Sequence, residues 1–79
     1  MWYTYILKNT DNNWHYVGST NRLDQRLKEH NSGKVRSTKH YIPLEIVFKK
    51  EFLNEKEARS YEQKLKKCRR EKEAILVNL

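Results

Sequence analysis

Two short runs, residues 2–7 and 14–18, are rich in aromatic and β-branched side chains, and the residues between them, Lys8-Asn9-Thr10-Asp11-Asn12-Asn13, are nearly all turn formers. Such runs favour extended strands. Asn and Asp compete locally for backbone hydrogen bonds and break the extended path. The pattern predicts an antiparallel hairpin at the start of the chain. If Leu7 faces Trp14 across it, Tyr5 lies opposite Tyr16, and the two phenols share a face of the sheet. A slip of one residue would send them to opposite faces.

The remaining segments must cover that hairpin. Residues 21–31 carry Leu23 and Leu27 one helical turn apart, with Asn21 as candidate N-cap and Gly33 or Asn31 as stop signal. Residues 32–43 form a basic loop ending in Pro43, and residues 44–48 read as a third strand. Residues 54–69 give a second helix capped by Asn54. Glu55 and Glu57 suit its positive end, and Lys66, Lys67, Arg69 and Arg70 its negative end. Its apolar stripe is Ala58, Tyr61, Leu65 and Cys68, with Cys68 expected as a small buried hydrophobe. Residues 71–79 close the chain as a short helix whose apolar residues pack on the core. The expected fold class is α+β: a small three-stranded antiparallel sheet flanked by about three helices, in the order β-β-α-β-α-α.

Size and charge narrow the function. A chain of 79 residues supports one domain, expected here over residues 1–79. No stretch approaches the roughly 20 apolar residues of a membrane span, and no signal peptide is legible at the N-terminus. A single cysteine excludes an internal disulfide framework and a cysteine-based zinc site. A cytoplasmic protein is expected. The 17 Lys+Arg exceed the 10 Asp+Glu, for a formal net charge of +7, which favours polyanionic partners. Lys34, Arg36 and Lys39 in the loop, with Lys64, Lys66 and Lys67 on the second helix, are spaced to follow a nucleic-acid backbone. Trp2, Tyr3 and Trp14 read as packing residues, and His15 and His40 as solvent-facing.

Polar residues bordering apolar stripes are the candidates for chemistry. At about 100° per residue, Glu62 falls about 60° from Leu65 and about 40° from Ala58. Arg26 stands in the same relation to Leu23 and Leu27, with His30 one turn further on. A structural Arg26–Glu62 ion pair is one reading, since a half-buried carboxylate needs a partner. The other is a site between hairpin and helices holding Tyr5, Tyr16, Arg26, His30 and Glu62. Glu62 is suited to one Mg²⁺, which prefers oxygen ligands and keeps most of its waters. Arg26 is suited to a phosphate. A Tyr or His could take a proton from water, helped in the case of Tyr by a cationic pocket that lowers its pKa.

At these residues the chain resembles the GIY-YIG nuclease superfamily, closest to its small stand-alone bacterial members, which are related to the N-terminal nuclease domain of the excision-repair incision subunit. The resemblance rests on Tyr3-Thr4-Tyr5-Ile6-Leu7, on Tyr16-Val17-Gly18, on the Arg26-x-x-x-His30 helix and on Glu57-Ala58 followed by Glu62-Gln63-Lys64-Leu65-Lys66. It implies a metal-dependent endonuclease hydrolysing DNA phosphodiesters, structure-directed or weakly sequence-specific. Tyr5 and Tyr16 would surround the nucleophilic water, with Tyr5 preferred as general base. Arg26 would contact the scissile phosphate, and His30 would relay a proton or touch the phosphate. Glu62 would hold one divalent metal, Mg²⁺ or Mn²⁺. The implied partners are DNA, branched or single-stranded, and a protein that lends specificity. A catalytically inactive nucleic-acid-binding module on the same fold is the alternative. Three departures stand out. The first half-motif has Tyr3 and Thr4 in place of Gly and Ile. Ser19 stands where some relatives carry Lys. A later Asn has no counterpart, Asn78 lying too near the terminus.

Overall fold

A computed structural model of the chain describes residues 1–77; Asn78 lies outside the described residues. The elements are β1 (Trp2–Asn9), β2 (His15–Thr20), α1 (Leu23–Asn31), β3 (Leu44–Phe52), α2 (Glu55–Lys67) and α3 (Arg69–Val77). They form an α+β fold whose antiparallel sheet has the strand order β2-β1-β3. The expected order β-β-α-β-α-α is the observed one.

The hairpin register differs from the expected one by two residues. Leu7 pairs with Tyr16 and Tyr5 with Gly18. The turn is tighter than the composition of residues 8–13 suggested, because Asn9 ends β1 and organises the turn itself. Its side-chain oxygen accepts from the backbone N–H groups of Asp11 and Asn12. A shift of two preserves the alternation of faces, so Tyr5 and Tyr16 still project to one side, now as diagonal neighbours.

The sheet buries both faces. Tyr5, Leu7 and Leu44 gather on one side with Trp14, Tyr16, Ile46 and, from α1, Leu23 and Leu27. Ile6 and Val17 project to the other side, where they meet Leu65 of α2 and Ile75 and Leu76 of α3. Strand β3 is longer than its apolar run. Lys49, Lys50 and Glu51 continue the pairing with β1 along an outer edge, where charged side chains blunt edge-to-edge association.

Helix ends follow local chemistry. The Asn54 side chain accepts from the Glu57 N–H at 2.9 Å and caps α2. Asn21 does not cap α1. The cap position is Arg22, which has no side-chain cap bond, and its N–H donates to Thr20 Oγ1 at 3.1 Å. At the other end Gly33 adopts φ 81°, with Gly33 N–H donating to the His30 carbonyl and Lys34 N–H to that of Glu29. This is the Schellman closure that favours glycine. The Asn31 side chain then pairs with both backbone groups of Leu44, at 2.9 and 2.7 Å, and locks β3 against α1. Cys68 is exposed, because the backbone breaks between α2 and α3 there and lifts it off the stripe. Helix α3 accordingly begins at Arg69, two residues before the expected start. Among the described residues no helix is long and apolar enough to cross a membrane.

Candidate active site

Strand β2 is an outer strand, and the candidate residues lie on both faces of the sheet beside it. On the α1 face the Tyr5 ring is 2% exposed and fits only because residue 18 is glycine. A Cβ there would come within 2.6 Å of the Tyr5 hydroxyl and 3.0 Å of the Tyr16 ring. Its φ is not positive, so what the position demands is room for two phenols rather than left-handed backbone.

His30 is fully buried beneath these rings. Its Nε2 lies 3.1 Å from the Tyr5 hydroxyl and its Nδ1 lies 2.7 Å from Thr38 Oγ1. The Thr38 hydroxyl donates onward to the Val35 carbonyl at 3.4 Å. Those directions assign the proton to Nδ1, which donates to Thr38, and leave Nε2 to accept from Tyr5 O–H. Burial first, then the positive charge of Arg26, hold His30 down at about 4. Tyr5 moves the other way. Burial pushes it up to about 12, with Tyr16 and Glu62 adding to the rise and the nearby Arg26 guanidinium opposing it. The expected cationic lowering of a tyrosine pKa is thus outweighed at Tyr5 by desolvation.

Arg26 pairs with Glu29 at 3.3 Å, one turn along α1, and not with Glu62. The structural Arg26–Glu62 pair is therefore not formed. Arg26 opens instead onto a cleft of about 370 Å³ that it shares with Arg22, Arg59, Ser19 and Trp2. Arginines from both helices thereby meet at the end of β2. Arg59 lies 5.7 Å above the Trp2 ring and pairs with Glu55.

Glu62 approaches from the α2 face. It is 9% exposed and accepts 2.6 Å hydrogen bonds from Ser19 Oγ on one oxygen and Lys66 Nζ on the other. A second cleft, about 260 Å³, lies on this side of β2 between Tyr16, Lys66, Arg69 and Lys72. Tyr5, Tyr16, Arg26 and His30 are brought together on one face. Glu62 stays on the α2 face, held by Ser19 and Lys66, and its charge is the least of the several effects felt at Tyr5. A larger apolar groove of about 450 Å³, against α3, holds none of these residues.

Beside the Glu62 carboxylate lies the Ser19 hydroxyl, itself 3.3 Å from the Ala58 carbonyl. Among the described residues no group of three His, Cys, Asp or Glu side chains could hold a metal. This set fits a hard divalent cation that keeps most of its waters, with Glu62 and Ser19 the residues that would hold it, and it does not fit zinc.

Of the expected backbone-tracking residues, Lys34, Arg36 and Lys39 are exposed in the loop, and Lys64, Lys66 and Lys67 are exposed on α2. Lys64 pairs with Glu71 at 3.5 Å. His40 is exposed, whereas His15 is half-buried, its pKa lowered by burial, then by Lys72 and Lys8. Sequence reasoning missed Arg22 and Arg59 as cleft residues. The available signal was helical spacing: Arg22 precedes Arg26 by four and Arg59 precedes Glu62 by three. Thr38 gave none, because its contact with His30 depends on how the loop folds back.

Residues 1–74 match the family model for the GIY-YIG catalytic domain. UPF0213 protein YazA of Bacillus subtilis is 39% identical over 92% of this chain and 74% of its own length. UPF0213 protein CPE1444 of Clostridium perfringens is 38% identical over 96% and 82%. The solution NMR structure of UPF0213 protein BH0048 from Bacillus halodurans superposes with a TM-score of 0.57 at 35% identity, covering 99% of this chain and 84% of that one.

Proposed function

The chain belongs to the GIY-YIG catalytic-domain family, and from that premise we propose that it is a metal-dependent endonuclease hydrolysing phosphodiester bonds in DNA. What supports this reading is the gathering of Tyr5, Tyr16, Arg26 and His30 on one face of the edge strand, with Glu62 against Ser19 on its other face.

In this reading a backbone phosphate enters the cleft where Arg26, Arg22 and Arg59 converge, and Arg26 meets it with two donors. Tyr5 is pushed up to about 12 and hydrogen-bonded to a neutral His30, so it keeps its proton at neutral pH. Its part is then to position Arg26. Tyr16 borders the neighbouring cleft, beside Lys66, Arg69 and Lys72, and acts as general base on the attacking water. Water oxygen bonds to phosphorus, the P–O3′ bond breaks, and O3′ takes a proton from solvent water, leaving a 5′-phosphate and a 3′-hydroxyl. A divalent cation bound at Glu62 would supply positive charge to the departing oxygen.

The test is cleavage of supercoiled plasmid and of branched and single-stranded oligonucleotides with Mg²⁺ or Mn²⁺. Wild type should cut, and Glu62→Gln and Arg26→Ala should each lose on the order of a hundredfold or more. The reading fails if wild type cuts no topology, or if both variants cut as well as wild type.

A second reading has a specific observation behind it: both Glu62 oxygens are engaged, by Ser19 and Lys66. A nucleic-acid-binding module without hydrolysis would look so. It expects salt-sensitive DNA binding that survives Glu62→Gln, with the DNA left intact by either metal.

A further inference from the structure

The loop of residues 32–43 ends in an aromatic arrangement that the hydrolytic reading does not use. The Tyr41 and Trp14 rings lie parallel, 3.9 Å between centroids and 1° between planes. Trp14 in turn stacks on Tyr16, 6.4 Å away at 19°. Tyr16 tilts against buried His30 at 5.2 Å. A ladder of three rings thus runs from the candidate active site to the surface.

Its outer rung is held in place and open to water. The Tyr41 carbonyl accepts from the Asn9 side-chain amide, and the Tyr41 N–H donates to the Thr38 carbonyl. Thr10 N–H donates to the Pro43 carbonyl two residues on. With one ring face covered by Trp14, Tyr41 remains 39% exposed, so the accessible area lies on its other face and edge. Lys39 and His40, also exposed, immediately precede it. A pinned aromatic face beside positive charge suits a ligand that is flat, aromatic and attached to an anion. A nucleobase with its phosphate has that composition. Inside a duplex both faces of a base are already stacked on neighbours, so away from its ends only an unpaired base can offer one.

We infer that the outer face of Tyr41, backed by Trp14, is a stacking seat for one unpaired nucleobase, so that the nucleic acid engaged here carries a single-stranded nucleotide close to the bound phosphate. The seat lies two ring-to-ring steps from Tyr16 and gives a preference for single-stranded, frayed or branched substrate without reading sequence. It rests on the nucleic-acid reading above but not on hydrolysis.

The experiment measures binding in EDTA, where no cleavage can occur, of a labelled oligo-dT strand and of a blunt duplex. Tyr41→Leu should weaken single-strand binding about tenfold and leave duplex binding within twofold. Tyr41→Phe, which keeps the ring, should bind like wild type. In a Trp2→Phe background, the single strand should quench Trp14 emission and the duplex should not. An unchanged ratio of single-strand to duplex affinity in a folded Tyr41→Leu protein overturns the inference. If Tyr41→Leu does not fold, unquenched Trp14 emission at saturating single strand overturns it instead. Binding of neither nucleic acid at low salt removes the nucleic-acid reading and this inference together. Loss of cleavage with the Tyr41 effect intact removes only the hydrolytic reading.

Discussion

At the scale of single residues, two contacts, one buried and one half-exposed, set what the candidate site can do. His30 is neutral in the fold and titrates at about 4, against about 6.5 in an unfolded chain. Between those values the unfolded state binds more protons, so stability is fully present above pH 6.5 and drains as pH falls towards 4. The drain amounts to roughly 2–3 kcal/mol by pH 4.5. Urea unfolding of wild type and His30→Gln at pH 7 and pH 4.5 isolates it from the carboxylates, since the histidine variant should lose less on acidification. Equal losses in both proteins would mean that His30 is not held neutral. The second contact is Lys66 on Glu62, at 2.6 Å with the lysine side chain 44% exposed. An ammonium on that carboxylate competes with any divalent cation for the same oxygen. Lys66→Met should therefore tighten Mn²⁺ binding about fivefold, from the modest worth of a half-exposed pair. Titration calorimetry without nucleic acid reads this directly, and weaker or equal affinity would exclude the competition.

At the scale of elements, the secondary structure was largely legible and the side-chain constellation only half so. The hairpin, the strand after Pro43 and both Glu-headed and Gly-closed helix ends could be read because each is fixed by residues within a few positions of one another. The register was off by two because Asn9 spends its side chain on the turn, which no periodicity reports. Cys68 left its stripe because α2 ends one residue earlier than its hydrophobic pattern does. Thr38 under His30, Asn31 on Leu44 and Ser19 on Glu62 are each paired by tertiary packing, so spacing alone could not choose among the candidates. Two glycines test the local account from opposite sides. At Gly18 alanine meets the Tyr5 hydroxyl inside a packed site, and should cost about 1–3 kcal/mol and disturb both phenols. At Gly33 a Cβ meets nothing within 4 Å, and only the φ of 81° opposes it, for about 1 kcal/mol. Denaturant midpoints of the two alanine variants should fall in that order, and the reverse order would contradict the crowding described at Gly18.

At the scale of the whole molecule, the net charge of +7 is not spread evenly in its effect. Arg22, Arg26 and Arg59 face one cleft at the end of β2, and Lys66, Arg69 and Lys72 face the other alongside it. A polyanion crossing the edge of the sheet would meet both. Arg22→Ala and Lys72→Ala should each lower the slope of log affinity against log salt by about one. Fluorescence anisotropy across a salt series measures it, and slopes unchanged in both variants would move the track elsewhere. The position of β2 at the margin has a consequence for chemical intervention. These arginines and lysines sit along a rim, above the buried Tyr5 and His30, with shallow troughs of a few hundred cubic ångströms to either side. Such a rim admits a long, stiff polymer from outside but gives a compact drug-like molecule little to enclose it, so blocking agents for this protein will have to be elongated and anionic.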